Sequence, residues 1–372
     1  MTDQQTYRYQ PDMVSHPGET LKRTIEALGL SQKEVARRTG QTPKHISEIV
    51  NGKARISSEA ALAFERVLDV SASFWNARQA KFDEAVARQK ERQALESHVD
   101  WLENFPIRDM VERKLIEPTK DRVEQLRRLL EFFGVTGPAE WNEEWSTVAV
   151  SFRQSDAYDS SKYAVAAWLR AGELEGRKMD CALYDEKAFR KALETVRCAT
   201  TEDLAEFCRI ARREFAGAGV ALVFTPELPE ARVHGATRWL SPRRALIQLS
   251  FRYKRDDIFF FTLFHEAAHV LLHSKREIFL ENKDEQDSED EQEREADAFS
   301  ANFLIPPEKY AQFLKSHNLQ YLSHDKIMAF ADALEIAPGI VVGRLHHDEY
   351  VPPTHFRRHI RRLNRKVLDE FG

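Results

Sequence analysis

Between His16 and about Ala80, apolar residues recur every three or four positions in several short runs, the pattern of small helices that each bury one face. GETLKRTIEALG closes on Gly29. SQKEVARRTG opens with Ser31, a capping serine with Glu34 three positions on, and closes on Gly40. TPKHISEIVNGK has Thr42 as cap and Pro43 in its first turn, and stops at Asn51-Gly52. That predicts two short helices across a tight turn. SSEAALAFERVLD and SASFWNARQAKFDEAVARQ continue as a fourth and a fifth helix, so the segment is expected to bury Leu21, Ile25, Leu28, Val35, Ala36, Ile46, Ile49, Leu62 and Val67 together.

The next stretch, about 91–217, is helical by the same spacing in DRVEQLRRLLEFFG, KYAVAAWLRAGELEGRK and TEDLAEFCRIARREFAGAG, and it reads as a structural layer without chemistry of its own. EEWSTVAVSFRQS, where Val148, Val150 and Phe152 alternate, is a candidate strand or an apolar loop. At Gly219 the texture changes. GVALVFTPEL, RVHGATRWLS and RRALIQLSF are short β-rich runs that predict a small antiparallel sheet. From Asp257 a helix follows that is apolar nearly all round, so it is expected to lie buried against that sheet. The fold class is therefore mainly α (α+β), with domains at 1–90, 91–217 and 218–347 and a basic tail at 348–372.

Charge changes this picture locally. The chain has 55 Lys and Arg against 60 Asp and Glu, a net charge of -5, which gives no global attraction to nucleic acid. Between Gly18 and Ser58, however, Lys22, Arg23, Lys33, Arg37, Arg38, Lys44, Lys53 and Arg55 outnumber Glu19, Glu26, Glu34 and Glu48. Three cysteines without close paired spacing suggest neither a disulfide framework nor a thiolate metal site. No apolar run approaches membrane-spanning length, and a cytoplasmic location fits this composition best.

The chemistry concentrates in FTLFHEAAHVLLH, Phe261–His273. On a helix, His265 and His269 share a face one turn apart, so both imidazoles can reach a single ion, while Glu266 projects beside it and can take and return a proton. A third ligand is needed. EREADAFSANFLIPP follows an acidic tract, and Glu295, on the face of Phe299, is a candidate oxygen ligand; Glu291 and Glu293 compete for the assignment but fall in the charge run. His273, a turn further along the ligand face, is expected to support the site from behind. His234 and Arg238 are candidate donors to an oxyanion.

Two resemblances follow from these residues. SQxxxAxxxG followed by xxxISxIxNGK resembles the Cro/C1 (XRE) helix-turn-helix, in a variety similar to HigA-type antitoxin regulators through His16 to Glu19 and Phe74-Trp75. The resemblance implies binding to a double-stranded DNA operator by a five-helix domain, with Lys44, His45 and Glu48 on base edges and Gln32, Thr42, Lys53 and Arg55 on phosphates, and a homodimer by analogy. The region from about Gly219 to His347, through RYKRDD, FTLFHExxHxxLH, ExEAxxFxxxFLxP and IAPGIVVGRL, resembles the ImmA/IrrE metallo-endopeptidases. It implies a zincin-like domain with Zn2+ on His265, His269 and Glu295, and Glu266 as the acid/base for hydrolysis of a peptide bond in a protein substrate, laid along the sheet's edge. The rival reading is an antitoxin or repressor whose zincin domain senses a ligand, toxin or repressor partner without turnover. SHDKIMAFADALEIAPGIVVGRL echoes the helix-turn-helix spacing, and HFRRHIRRLNRKVLDEFG reads as a tail that contacts phosphates or docks.

Overall fold

The structure, a computed structural model, describes residues 14–145, 161–273, 279–281, 291–363 and 370. Val148, Val150 and Phe152 lie outside them, as does most of the acidic tract. The chain divides after Val99 into two compact units.

The N-terminal unit is built from α1 (Pro17–Ala27), α2 (Gln32–Thr39), α3 (Pro43–Val50), α4 (Ser58–Leu68) and α5 (Ala72–Glu96). The caps act as the sequence predicts: Ser31 Oγ accepts from the Glu34 amide at 3.1 Å and Thr42 Oγ1 from that of His45 at 3.1 Å. Gly40, in the left-handed region at φ 69°, turns the chain from α2 into α3. Leu21, Ile25, Val35, Ala36, Ile46 and Ile49 are buried as expected, joined by Phe64, Leu68 and Trp75. Leu28 and Leu62 are not core: both are 49% exposed. Leu28 is the C-cap of α1, and on α4 the inward face runs through Ala60, Ala61, Phe64 and Leu68, which turns Leu62 outward. Val67 packs at the margin.

In the second unit, strands β1 (Val220–Phe224), β2 (Gly235–Ser241), β3 (Arg244–Leu249) and β4 (Phe279–Glu281) form one sheet in the order β1-β3-β2-β4. The expected antiparallel sheet is in fact mixed, because β1 runs parallel to β3 while β2 is antiparallel to both β3 and β4. About twenty residues separate β1 from β3, with β2 among them, so β1 and β3 are not hairpin partners.

Side chains alternate across this sheet. One face presents Val220, Leu222, Phe224, Ala245, Ile247 and Leu249 to the main core. Against it pack α9 (Leu204–Gly217) and the HExxH helix α10 (Asp256–Leu272), the latter joined by α11 (Glu291–Leu304) and α13 (Pro338–His347). The opposite face, with Ala221, Val223 and Leu246, is covered by α7 (Lys162–Lys178), which follows α6 (Arg122–Phe133) and precedes α8 (Glu186–Cys198). Asp257 lies in the first turn of α10 and pairs with Arg255 at 2.6 Å. Helix α12 (His324–Leu334) and α13 form the echoed helix pair, and α13 is largely buried, as its apolar sequence requires. Among the described residues no helix is long and apolar enough to cross a membrane.

Gly18 brings α1 against the end of α3: a Cβ there would stand 1.9 Å from the Ile49 carbonyl oxygen, a backbone atom that cannot swing aside. Gly18→Ala is expected to destabilise the N-terminal unit by about 1–3 kcal/mol through overpacking, measured by urea unfolding of the full chain followed at Trp75; an unchanged midpoint would show that α1 shifts freely.

Candidate metal centre

Helix α10 carries almost no polar face, since Phe259, Phe260, Leu263, Phe264, Ala267, Ala268 and Val270 are all buried. Into this surface it sets His265 and His269, each 1% exposed, and Glu266 at 0%. Groups this deeply buried need partners. The two imidazoles meet edge to face, with their Nε2 atoms 3.0 Å apart.

The partners come from α11, whose inward face is Ala296, Ser300 and Leu304, with Ser300 Oγ donating to the Phe261 carbonyl at 2.9 Å. Glu293 lies on that face, three residues before Ala296 and seven before Ser300. Its carboxylate oxygens stand 3.0 Å from His265 Nε2 and 3.5 Å from His269 Nε2. Asp297, one turn on, meets the other ring nitrogen of His265 at 2.8 Å, and His273 meets Nδ1 of His269 at 2.8 Å. Both Nε2 atoms are thereby turned toward Glu293.

The carboxylate that joins the histidines is therefore Glu293, not the expected Glu295. The Glu295 side chain is 54% exposed and reaches His273 Nε2 at 3.2 Å, whereas that of Glu293 is 23% exposed. The difference arises because α11 already begins at Glu291, so Glu293 belongs to the helix and not to the preceding charge run. His265, His269 and Glu293 each offer one ligand atom, all within 4.8 Å of one another.

Protonation suits this donor set. Burial is the main cause that lowers the His269 pKa from its ordinary value, which favours the neutral ring, against the pull of Glu293. Burial alone would raise the Glu293 pKa, but hydrogen bonds from His265 and His269 outweigh it and hold the carboxyl well below the usual range. Two imidazoles and an anionic carboxylate are a donor set that fits a zinc ion.

Glu266 does not join this trio; its carboxylate meets strand β2 of the sheet. Thr237 Oγ1, on β2, lies 2.6 Å from Glu266 Oε2 and 3.0 Å from its carbonyl oxygen. Two residues earlier on the same face of β2, a Cβ on Gly235 would stand 2.4 Å from Glu266 Oε1. Sequence reasoning missed both roles; the available signal was the two-residue spacing of Gly235 and Thr237 on a strand that precedes the HExxH helix. Of the two candidate oxyanion donors, Arg238 is committed elsewhere. Arg238 is buried on the opposite face, donating to the Leu169 carbonyl and to Glu173, and His234 is also buried.

On the N-terminal unit, Thr42, Lys44, Lys53 and Arg55 are exposed, and Gln32, His45 and Glu48 are partly so. Ile46 and Ile49 take the inner side of α3, which leaves the expected base-reading residues outside. Lys44 lies 3.9 Å from Glu48, and Arg55 is paired with Asp83 at 2.6 Å.

Comparison with known families matches residues 21–75 to the helix-turn-helix model and residues 223–345 to the peptidase family M78 model, the IrrE N-terminal-like domain. The chain joins a helix-turn-helix domain to an IrrE-like domain of the M78 peptidase family. Virulence-associated protein A' of Dichelobacter nodosus is 38% identical over 69 residues, 18% of this chain; the chain spans 60% of the length of that curated relative. An addiction module antidote protein of the HigA family from Coxiella burnetii is 25% identical and covers 23% of this chain and 92% of its own, with a TM-score of 0.22. The Pseudomonas aeruginosa antitoxin HigA, solved with the higBA promoter, is 27% identical and covers 23% of this chain and 94% of its own, with a TM-score of 0.22.

The geometry makes the carboxylate assignment testable. Glu293→Ala is expected to lower zinc affinity by about 10-fold or more, while Glu295→Ala leaves a site that still loads, as measured by chelator competition and metal analysis. Loss in the Glu295 variant with retention in the Glu293 variant would reverse the assignment.

Proposed function

We propose that this chain is a cytoplasmic, DNA-binding transcription regulator whose IrrE-like domain is a zinc-dependent endopeptidase acting on a regulatory protein. The observation that carries the reading is the convergence of His265, His269 and Glu293 beside a fully buried Glu266 that does not join them. His265, His269 and Glu293 would hold the ion. When bound, zinc supplies a Lewis acid for a peptide carbonyl and lowers the pKa of water at the site.

The protein's own part is to place and protect a proton carrier. Glu266 takes a proton from the attacking water and returns one to the departing amine. Gly235 leaves room for its carboxylate and Thr237 bonds it, which positions it for the transfer. The apolar surface of α10 keeps bulk water away. Asp297 fixes the ring of His265 from behind. An extended substrate would not pair with the edge of β2 itself, because Gly235–Thr237 already pair with β4; the sheet's outer strand on that side is β4.

In the N-terminal domain, Lys44, His45 and Glu48 read base edges, with Gln32, Thr42, Lys53 and Arg55 on phosphates, and a homodimer reads a two-fold operator. The exposed Arg55–Asp83 pair opposes this little, since such pairs contribute about 1 kcal/mol or less.

Glu266→Gln keeps the size of the side chain and removes its basicity. Zinc content, fold and DNA binding are expected to persist while hydrolysis of proteins encoded beside this chain falls by about 10²-fold or more. Loss of zinc or of fold would make Glu266 structural; absence of cleavage by either form, with zinc and DNA retained, would favour the antitoxin-like sensing role. For DNA, Lys44→Ala is expected to change the preferred sequence, and Lys53→Ala to weaken all sequences alike, in a binding selection at fixed salt. The reverse pattern would misplace the reading face.

A further inference from the structure

A surface of the C-terminal unit gathers basic residues that lie a hundred positions apart in the chain. The segment after the last helix returns past a 3-10 turn at Arg357–His359 and pairs with the start of α10 through a β-bridge between Arg255 and Arg362. The Asp256 amide donates to the Arg361 carbonyl at 3.0 Å and the Leu363 amide to that of Lys254 at 3.0 Å. Arg361 locks the junction: its guanidinium bonds the buried Asp256 at 2.7 Å and the carbonyls of Glu202 and Thr200.

The two acids nearest this junction are both committed, Asp256 to Arg361 and Asp257 to Arg255. Glu227 is half-buried near Arg252 and Lys254, and Asp348 is held by Arg344. Lys254, Arg357, Arg358 and Arg362 all remain exposed.

We infer that Lys254, Arg357, Arg358 and Arg362 form a second, sequence-independent contact for the phosphate backbone of double-stranded DNA, separate from the helix-turn-helix. On a chain of net charge -5, affinity for a polyanion must come from such patches. The side chains present charge without a built pocket, which suits a repeating backbone and not a small anion. DNA is favoured over an acidic protein because the chain already carries a DNA-binding domain; the inference rests on that reading for its choice of polyanion alone.

The test uses the full chain and a random-sequence duplex of about 30 base pairs, followed by fluorescence anisotropy across a salt series. Lys53→Ala with Arg55→Ala first removes the two charged residues assigned to phosphates in the N-terminal domain, leaving the uncharged Gln32 and Thr42. In that background, Arg357→Gln, Arg358→Gln and Arg362→Gln together should reduce the slope of log affinity against log salt by about two to three, and each alone by about one. Replacing the same three arginines by lysine should preserve the slope, which separates charge from folding. Unchanged slopes in the single and triple glutamine variants would overturn the inference while leaving the helix-turn-helix reading intact. Tighter binding of polyglutamate than of the duplex would overturn it in favour of an acidic protein partner. If Lys53 and Arg55 prove irrelevant but the patch arginines carry all the binding, the N-terminal assignment fails and this one stands.

Discussion

The C-terminal unit depends on one constraint: two imidazoles and two carboxylates must be held by partners where the apolar HExxH helix meets the sheet and the helix that follows. Leaving any of them unsatisfied would cost more than a typical hydrogen bond contributes, so each has a neighbour fixed by the fold. Asp297 and His273 take the outer nitrogens of the imidazoles, Glu293 faces the inner ones, and Thr237 holds Glu266. The sheet, the HExxH helix and the helix that follows are all needed to supply these partners, which explains why the site spans three elements distant in sequence.

Strand β2 is the member that divides the work. Gly235 and Thr237 face the HExxH helix and leave room for, and bond, the Glu266 carboxylate. Arg238, on the other face, is bound to Glu173, which Arg170 and Arg177 also hold at 3.0 and 2.7 Å. Burial would raise the Glu173 pKa, but Arg238 and its fellow arginines outweigh that and keep the carboxyl below its ordinary value. The strand that holds Glu266 is thus anchored from behind by an ionised cluster, and its outer edge is paired with β4.

Much of this was legible in the sequence, where local rules decide. Ser31, Thr42, Gly40 and Gly52 punctuate the first helices by their own chemistry, and the two histidines four apart declare a shared face. What escaped depends on tertiary context. Leu28 and Leu62 fit a helical period but sit off the face that the neighbouring helices cover. The parallel pairing of β1 with β3 is set by how strands pack, not by their composition. Glu293 and Glu295 differ by two residues, about 200° around a helix, so choosing between them required the helix start, which is the least legible feature where a charge run merges into a helix. Gly235 and Thr237 gave no signal beyond alternation.

The central claim is that His265, His269 and Glu293 together form a metal centre with Glu266 outside it. Crystals of the zinc-loaded full chain, measured on both sides of the zinc absorption edge, test this most directly. The account predicts one anomalous peak bonded to the Nε2 atoms of both histidines and to the Glu293 carboxylate, with the Glu266 carboxylate against Thr237 and not on the metal. A peak ligated by Glu295, His273 or Glu266 in place of Glu293, or no zinc between the two helices, would contradict it.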